Sequence, residues 1–410
     1  MGFNLYFIFK NLKEGNDMKL VLSRKGFDSG SGGCLSPYNH DTGEYIWFPI
    51  PEKVNSYSNQ IRYSDVLVKN GYLSSLKGSN LSEVYKSLKG MDRVKLRKNE
   101  RVSIDDSELF AHFDPMLGTP PWIVKNDSCK IGMGFGQFNA APQLGNHNVN
   151  EGSIFLFFGG FQSKSNRKIA GHYLYGWLKV KKRIETYEDC KKIIEPYNLH
   201  HHPHITEAAF KRNKKNYILV PDQWLYEDLY IPGCGYFTSL NDSLLLSSNK
   251  ESNRATWKWP IFFYHNLTQV HLKTWENTQD GFCTVKTGIG QEFITELSEK
   301  GEDWLRELFL TNQDNIYREE MLAANIGIKE LDFQEYLSQK HILRKGEMKI
   351  QPISVKQYMN RLESMRRHGI YNEENQIDST LVGKIQERYK DWTTYVKTIE
   401  HYLNYKTINQ

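Results

Sequence analysis

The sequence predicts an α+β protein, a β-rich mixed domain followed by a small all-helical C-terminal domain. Three observations lead there. Aromatic residues make up 13% of the chain, with 24 Tyr, 21 Phe and 9 Trp, an excess that favours pleated, half-buried surfaces. Short apolar segments bounded by Gly, Pro, Asn and Asp recur as far as about residue 300 and read as strands. Past about residue 295 glycine thins out and residues of high helix propensity take over.

Taken in order, residues 1–17 hold too short an apolar stretch to span a bilayer and lack the basic start and cleavage site of a signal peptide. They are expected to be peripheral, an over-extended translation start ahead of Met18. The β-rich domain is expected over 18–305. Its strands are KLVLS, YIWFPI, SIFLFF, HYLYGWLKV, NYILV and GYFTSL, with the polar stretch 80–108 between them reading as helix or loop. GEDWLRELFL reads as helix. Residues 315–410 are expected to form the separate helical domain. In it SVKQYMNRLESMRR is one helix with Ser354 as N-cap. In KIQERYKDWTTYVKTIEHYLNY, residues Ile385, Trp392, Val396, Ile399 and Leu403 mark one face of a single long helix.

Composition narrows the function. A hydrophobic content of 39% is ample for a core and excludes disorder, while a net charge of +5 permits a polyanionic partner without requiring one. Five cysteines, Cys34, Cys129, Cys190, Cys234 and Cys283, are widely spaced with no CxxC pair. That pattern is neither a disulfide framework nor a thiolate zinc site, and it fits a reducing cytoplasm. IFLFFGGF is far too short to cross a membrane.

The stretch SRKGFDSGSGG ends a strand in charge and then gives up its side chains. Glycines there let backbone N–H groups approach a ligand. On this reading Ser23, Arg24, Lys25, Gly32 and Gly33 would hold a phosphate or nucleotide, with Asp28 as a base or a sugar-hydroxyl partner. The plainer reading is a solvated turn with an incidental ion pair. In AHFDPML, His112 and Asp114 alternate and so share a face of an extended chain. GMGFGQFNAAPQLGNHNV is read as a glycine-rich loop whose Gln137 and Asn139 suit the edge of a base; an ordinary surface loop has the same texture. LHHHPHITE carries four imidazoles, of which His204 joins His112, Asp114 and Asp28 as a candidate catalytic group. Clustered imidazoles also invite a metal reading, with His202 and His204 on one face of an extended chain and His112 and Asp114 able to join from elsewhere. A polar loop explains the run better, and no residue is assigned to a metal.

Residues 160–220 hold 13 Lys or Arg against five acidic residues, interleaved with Phe161, Tyr173, Tyr175 and Trp177. Cations beside exposed rings suit nucleic acid, and Lys181, Lys182 and Arg183 are the candidate contacts, joined by Lys345, Arg361 and Arg366 from the helical domain. If the rings are core, the lysines are only a solvated face.

SRKGFDSGSGGCLSP, YIWFPIP, HFDP, GQFNAAPQLGNHNV, GSIFLFFGGF, YLYGWLKV, HPH, PGCGYF and GQEFI occur in this order over about residues 18–300. The series resembles the nucleotide modification associated domain 3 family, base-modification proteins of bacterial and phage modification systems. The resemblance implies Ser23, Arg24, Lys25, Asp28, His112, Asp114, Gln137 and His204 as the polar signature. GSIFLFFGGF followed by GHYLYGWLKV also resembles the central strands of PUA-like barrels, and the C-terminal region loosely resembles the helical core-binding domain of tyrosine recombinases. These resemblances imply a protein that acts on or recognises modified bases or nucleotides, with DNA or a nucleotide as partner, a helical DNA-docking domain and no membrane association. Two alternatives remain open: a non-catalytic modified-base reader, and a nuclease in which Asp28, Asp114 and a histidine hold a divalent ion. The sequence names no cofactor and no oligomeric state.

Overall fold

The computed structural model describes residues 18–53, 61–96, 100–125, 131–138, 140–212, 215–248, 254–264, 274–277, 281–286, 292–316, 333–343 and 348–408. The extension 1–17, Cys129, Asn139 and Lys345 lie outside them. The chain divides into two units, Met1–Tyr317 and Arg318–Gln410.

The first unit is built on a nine-stranded sheet: β1 (Lys19–Arg24), β2 (Ser36–Tyr38), β3 (Met116–Leu117), β4 (Met133–Gln137), β5 (Ile154–Ser163), β6 (Ala170–Ile184), β7 (Tyr217–Pro221), β8 (Cys234–Tyr236) and β9 (Glu292–Glu296). The order is β9-β1-β5-β6-β7-β4-β3, with β2 also on β5 and β8 also on β6. β1 and β2 run parallel to β5, and the other pairings are antiparallel. β5 and β6 are apolar on both faces because both faces are covered: nine of the ten positions of β5 are buried. The path is open at β9 and β3, and no closed barrel is formed among the described residues. The PUA-like expectation is corrected accordingly. The two strands that suggested a barrel are the paired middle of an open sheet.

Other expectations change for identifiable reasons. YIWFPI is buried but mostly irregular, because Pro49 and Pro51 withhold ladder donors; only its last residue enters a strand, Ile50–Lys53, which pairs with Leu109–His112. The glycine-rich "loop" starting at Gly132 is strand β4 followed by a short helix, Ala141–Asn146. Its glycines answer close packing: a Cβ on Gly132 would lie 2.2 Å from the carbonyl oxygens of Tyr197 and Asn198. Phe161, Tyr173, Tyr175 and Trp177 are all buried, so the rings among the basic residues are core and offer no stacking surface. Of the stretch 80–108, α1 (Leu81–Lys89) is helical, with Asn80 accepting from the Glu83 N–H and Gly90 closing it in the left-handed region; the rest is largely a hairpin, Arg93–Lys95 with Arg101–Ser103. After β9, Ser298 caps α2 (Glu299–Thr311), and Phe309 packs edge-on against Trp177 at 4.9 Å. Cys34, Cys190, Cys234 and Cys283 are free thiols. Among the described residues no helix is long and apolar enough to cross a membrane.

The second unit is helical: α3 (Phe333–Leu343), α4 (Pro352–Arg367), α5 (Ser379–Arg388) and α6 (Trp392–Ile408). Its core gathers Tyr336, Leu337, Leu362, Met365, Ile385 and Ile399. α4 begins at Pro352 with Gln351 as cap, rather than at Ser354, since proline presets the first helical residue. The predicted long helix is two. Tyr389 is extended (φ −122°, ψ 123°) and its ring stacks on Tyr395 at 3.8 Å, while Asp391 accepts from the Thr394 hydroxyl to start α6. Ile385 and Ile399 are fully buried, whereas Trp392 is partly exposed.

Leu22, fully buried in β1 between β9 and β5, tests the sheet's central role. Leu22→Ala is expected to destabilise the protein by about 2–5 kcal/mol in urea unfolding. A loss under about 1 kcal/mol contradicts a tightly packed β1.

Candidate functional site

The site grows out of the place where β3 runs out beside β4. Met116 and Leu117 pair with Gly134 and Met133. Two residues further along the same register, Pro115 has no N–H, and Asp114 meets Gly136 with its side chain instead: Gly136 N–H donates to Asp114 Oδ1 at 2.8 Å. The carboxylate is thus drawn inside, with Asp114 5% exposed.

Three imidazoles surround it. His202 Nε2 lies 3.3 Å from Oδ1, while His204 Nε2 and His112 Nε2 lie 3.9 and 4.0 Å from Oδ2. Each ring is held from its far side. The His204 backbone N–H donates to His202 Nδ1 at 3.2 Å, so a neutral His202 carries its proton on Nε2, against Asp114. Asn216 clamps His204 twice: its Nδ2 donates to the His204 carbonyl at 3.0 Å, which leaves Oδ1 to accept from His204 Nδ1 at 2.8 Å. His112 ends the strand beside Ile50–Lys53, and its Nδ1 donates to Glu52 Oε2 at 2.6 Å. Burial opposes ionisation of Asp114, but the adjacent His202 and the charges of His204 and Lys25 outweigh it and hold the carboxyl below the ordinary carboxylate range. Burial lowers His204 to about 4, against the pull of Asp114.

β4 carries this cluster to a second carboxylate. Gln137 Nε2 donates at 3.0 Å to Oε1 of Glu292, the first residue of β9, which faces Ser23 across the strand pair. Lys25, just past β1, lies 3.7 Å from Glu292 and 4.5 Å above the centre of the Phe135 ring. Burial raises Glu292 to about 7 even though Lys25 pulls it down. The Ser23 hydroxyl lies against the Glu292 carboxyl, and both residues are enclosed within the fold.

The structure therefore brings Ser23, Lys25, His112, Asp114, Gln137 and His204 into one connected neighbourhood. Arg24 and Asp28 turn elsewhere: they pair with each other at 3.3 Å, each side chain about a quarter exposed, and Asp28 also accepts from the N–H groups of Gly30 and Ser31. The Gly32 and Gly33 N–H groups are used within the fold, by the carbonyls of Lys95 and Asp28, so they form a turn and not a phosphate cradle. Lys181 and Lys182 are exposed at a bulge in β6, whereas Arg183 lies over the Tyr217 ring at 4.0 Å with Glu185 beside it. In the helical unit, Arg366 makes two hydrogen bonds to Glu373, and Arg361 stands over Tyr358 and Tyr395, 4.0 Å from Asp391. Both are engaged internally. The sequence reading missed Glu292, Glu52 and Asn216. Glu292 had a signal, a single carboxylate opening an apolar strand in GQEFI; Glu52 and Asn216 had none, since only the fold sets them behind a histidine.

Residues 19–296 match the family described as nucleotide modification associated domain 3. The chain belongs to that family. No curated protein and no solved structure matches it. The nucleotide modification associated domain spans the whole nine-stranded sheet and every residue of the Asp114 and Glu292 neighbourhood, while the helical unit lies beyond it.

Two predictions follow from this packing. A Cβ on Gly136 would lie 2.4 Å from the His204 ring. Gly136→Ala is therefore expected to push His204 away and destabilise the domain by about 1–3 kcal/mol in urea unfolding, and a neutral effect contradicts the contact. Glu292 binds its proton more tightly folded than unfolded, its pKa raised from 4.5 to about 7. Its contribution to stability is present at low pH and lost as pH rises through about 7. Between about pH 5 and pH 8 the unfolding midpoint of wild type should fall relative to that of Glu292→Gln, and parallel pH profiles would contradict the shift.

Proposed function

We propose that the protein is an enzyme acting on a nucleotide or on a base of DNA, with its reactive centre at Asp114 and Glu292. One observation carries this reading: two buried carboxylates, joined through adjacent residues of β4, sit in environments that drive them in opposite directions. Asp114 is held ionised and Glu292 is raised to about 7, which poises Glu292 to give or take a proton near neutrality. A structural ion pair has no need of that contrast. In this reading Lys25 and Ser23 hold substrate beside Glu292, and Gln137 orients its carboxyl. Lys181 and Lys182 add a sequence-independent attraction for phosphate, and the helical unit docks DNA. Membership of a nucleotide-modification-associated family supports the substrate class, and the reaction type stays open.

The aromatic slot next to Asp114 is not where a base sits in this conformation. Trp47, Phe113, Trp122, Tyr175 and Tyr236 line it, but its cavity is about 20 Å³, room for roughly one water.

The test compares the nucleoside composition of DNA, by mass spectrometry, from cells expressing wild type or Glu292→Gln. Wild type should alter one nucleoside, and Glu292→Gln should lose the change by at least about 100-fold, in line with removal of a proton-transfer group. DNA binding should persist in the variant. If wild type binds DNA but leaves every nucleoside unchanged, the enzyme reading falls and a reader takes its place.

A further inference from the structure

We infer that His112, Asp114 and His204 form a binding site for one divalent first-row transition ion, such as iron(II), cobalt(II) or zinc(II). One ligand atom from each lies within 4.8 Å of the other two. The protons are directed away from the centre. Glu52 accepts from His112 Nδ1, and Asn216 Oδ1 accepts from His204 Nδ1, so a neutral ring presents the lone pair of Nε2 inward in both cases. Asp114 does the same. Its Oδ1 takes the Gly136 N–H and faces His202, while Oδ2 points at the two imidazoles. Three electron-pair donors thus converge with no hydrogen between them. A cation at the centre would relieve this arrangement, and the outer partners supply what metal-bound histidines ordinarily have, a carboxylate or carbonyl oxygen on the second ring nitrogen.

A second observation points the same way. His202 is fully buried, and its Nε2 makes no full hydrogen bond, standing instead against the Asp114 oxygen that faces away from the cluster's centre. There it can steady the carboxylate without competing for Oδ2. The donor atoms stand slightly too far apart for a filled site: four-coordinate ligands about 2.1 Å from an ion are about 3.4 Å from each other, so filling this one draws the side chains inward by less than an ångström or so. Two imidazoles with one carboxylate suit a divalent first-row ion, and three protein ligands leave positions open for water or a substrate atom. His112 stands at the rim of the cluster, its side chain 17% exposed while Asp114 and His204 are each 5%.

Binding is independent of the enzyme reading, because an ion can be held whether or not any base is altered. The experiment uses the full chain without an affinity tag, stripped with chelator and titrated anaerobically with cobalt(II) alone, while visible absorption and bound metal are followed. Wild type should take up one equivalent, with d–d bands and a raised thermal midpoint. Asp114→Asn and His112→Ala should each weaken uptake at least tenfold. Glu52→Gln, which alters the acceptor on His112 Nδ1, should weaken it by roughly 10- to 100-fold, and His40→Ala should leave it unchanged. Should Asp114→Asn fail to fold, His112→Ala at the rim decides. Absence of saturable, one-to-one uptake by folded wild type overturns the inference, as does unchanged uptake by His112→Ala or by Glu52→Gln.

Discussion

A carboxylate held ionised inside the protein is the constraint around which this domain is arranged. Asp114 enters because Pro115 cannot continue the ladder and Gly136 offers an unclaimed N–H. Once buried, its charge has to be met at close range, since an isolated buried charge is far more costly than an unmet hydrogen bond. The Gly136 N–H, His202 and the buried Lys25 meet it. Those groups then impose their own demands. Asn216 and Glu52 must stand behind the rings, Gly136 must stay small beneath His204, and Glu292 must balance Lys25.

β4 is the hinge of this logic. Five residues carry Phe135 under the Lys25 ammonium, the Gly136 N–H to one carboxylate and the Gln137 amide to the other. Neighbouring side chains on a strand face opposite ways, but Gly136 acts through its backbone, so it needs no side to reach Asp114. That is how consecutive residues serve two acids of opposite behaviour.

Much of the fold was legible in the sequence because burial leaves a pattern. KLVLS, SIFLFF, HYLYGWLKV and NYILV are strands of the sheet, and the switch to helix after about residue 295 is real. What failed to show was set by tertiary context. MGFGQ looks like a loop by composition, yet its glycines answer the Tyr197 and Asn198 carbonyls and the His204 ring. Phe161 and Trp177 look like stacking surfaces among lysines, but a strand covered on both faces hides them. The site divides in the same way. His112, Asp114, Gln137 and His204 stood out as polar residues in unusual settings, whereas Arg24 and Asp28 stood out equally and satisfy each other. Local sequence cannot distinguish these cases, because the difference lies in which distant segment arrives beside them.

The pairing of β1 with β9 joins the two ends of the segment that matches the family; the Lys19–Glu296 ion pair spans 277 positions of the chain. Lys25 and Glu292 are delivered by those two segments. A chain emerging during synthesis therefore has Asp114 and its histidines long before it has its second acid, and contacts so remote in sequence form late. Any prematurely terminated product lacks Glu292, so the paired acids come together only in a finished domain.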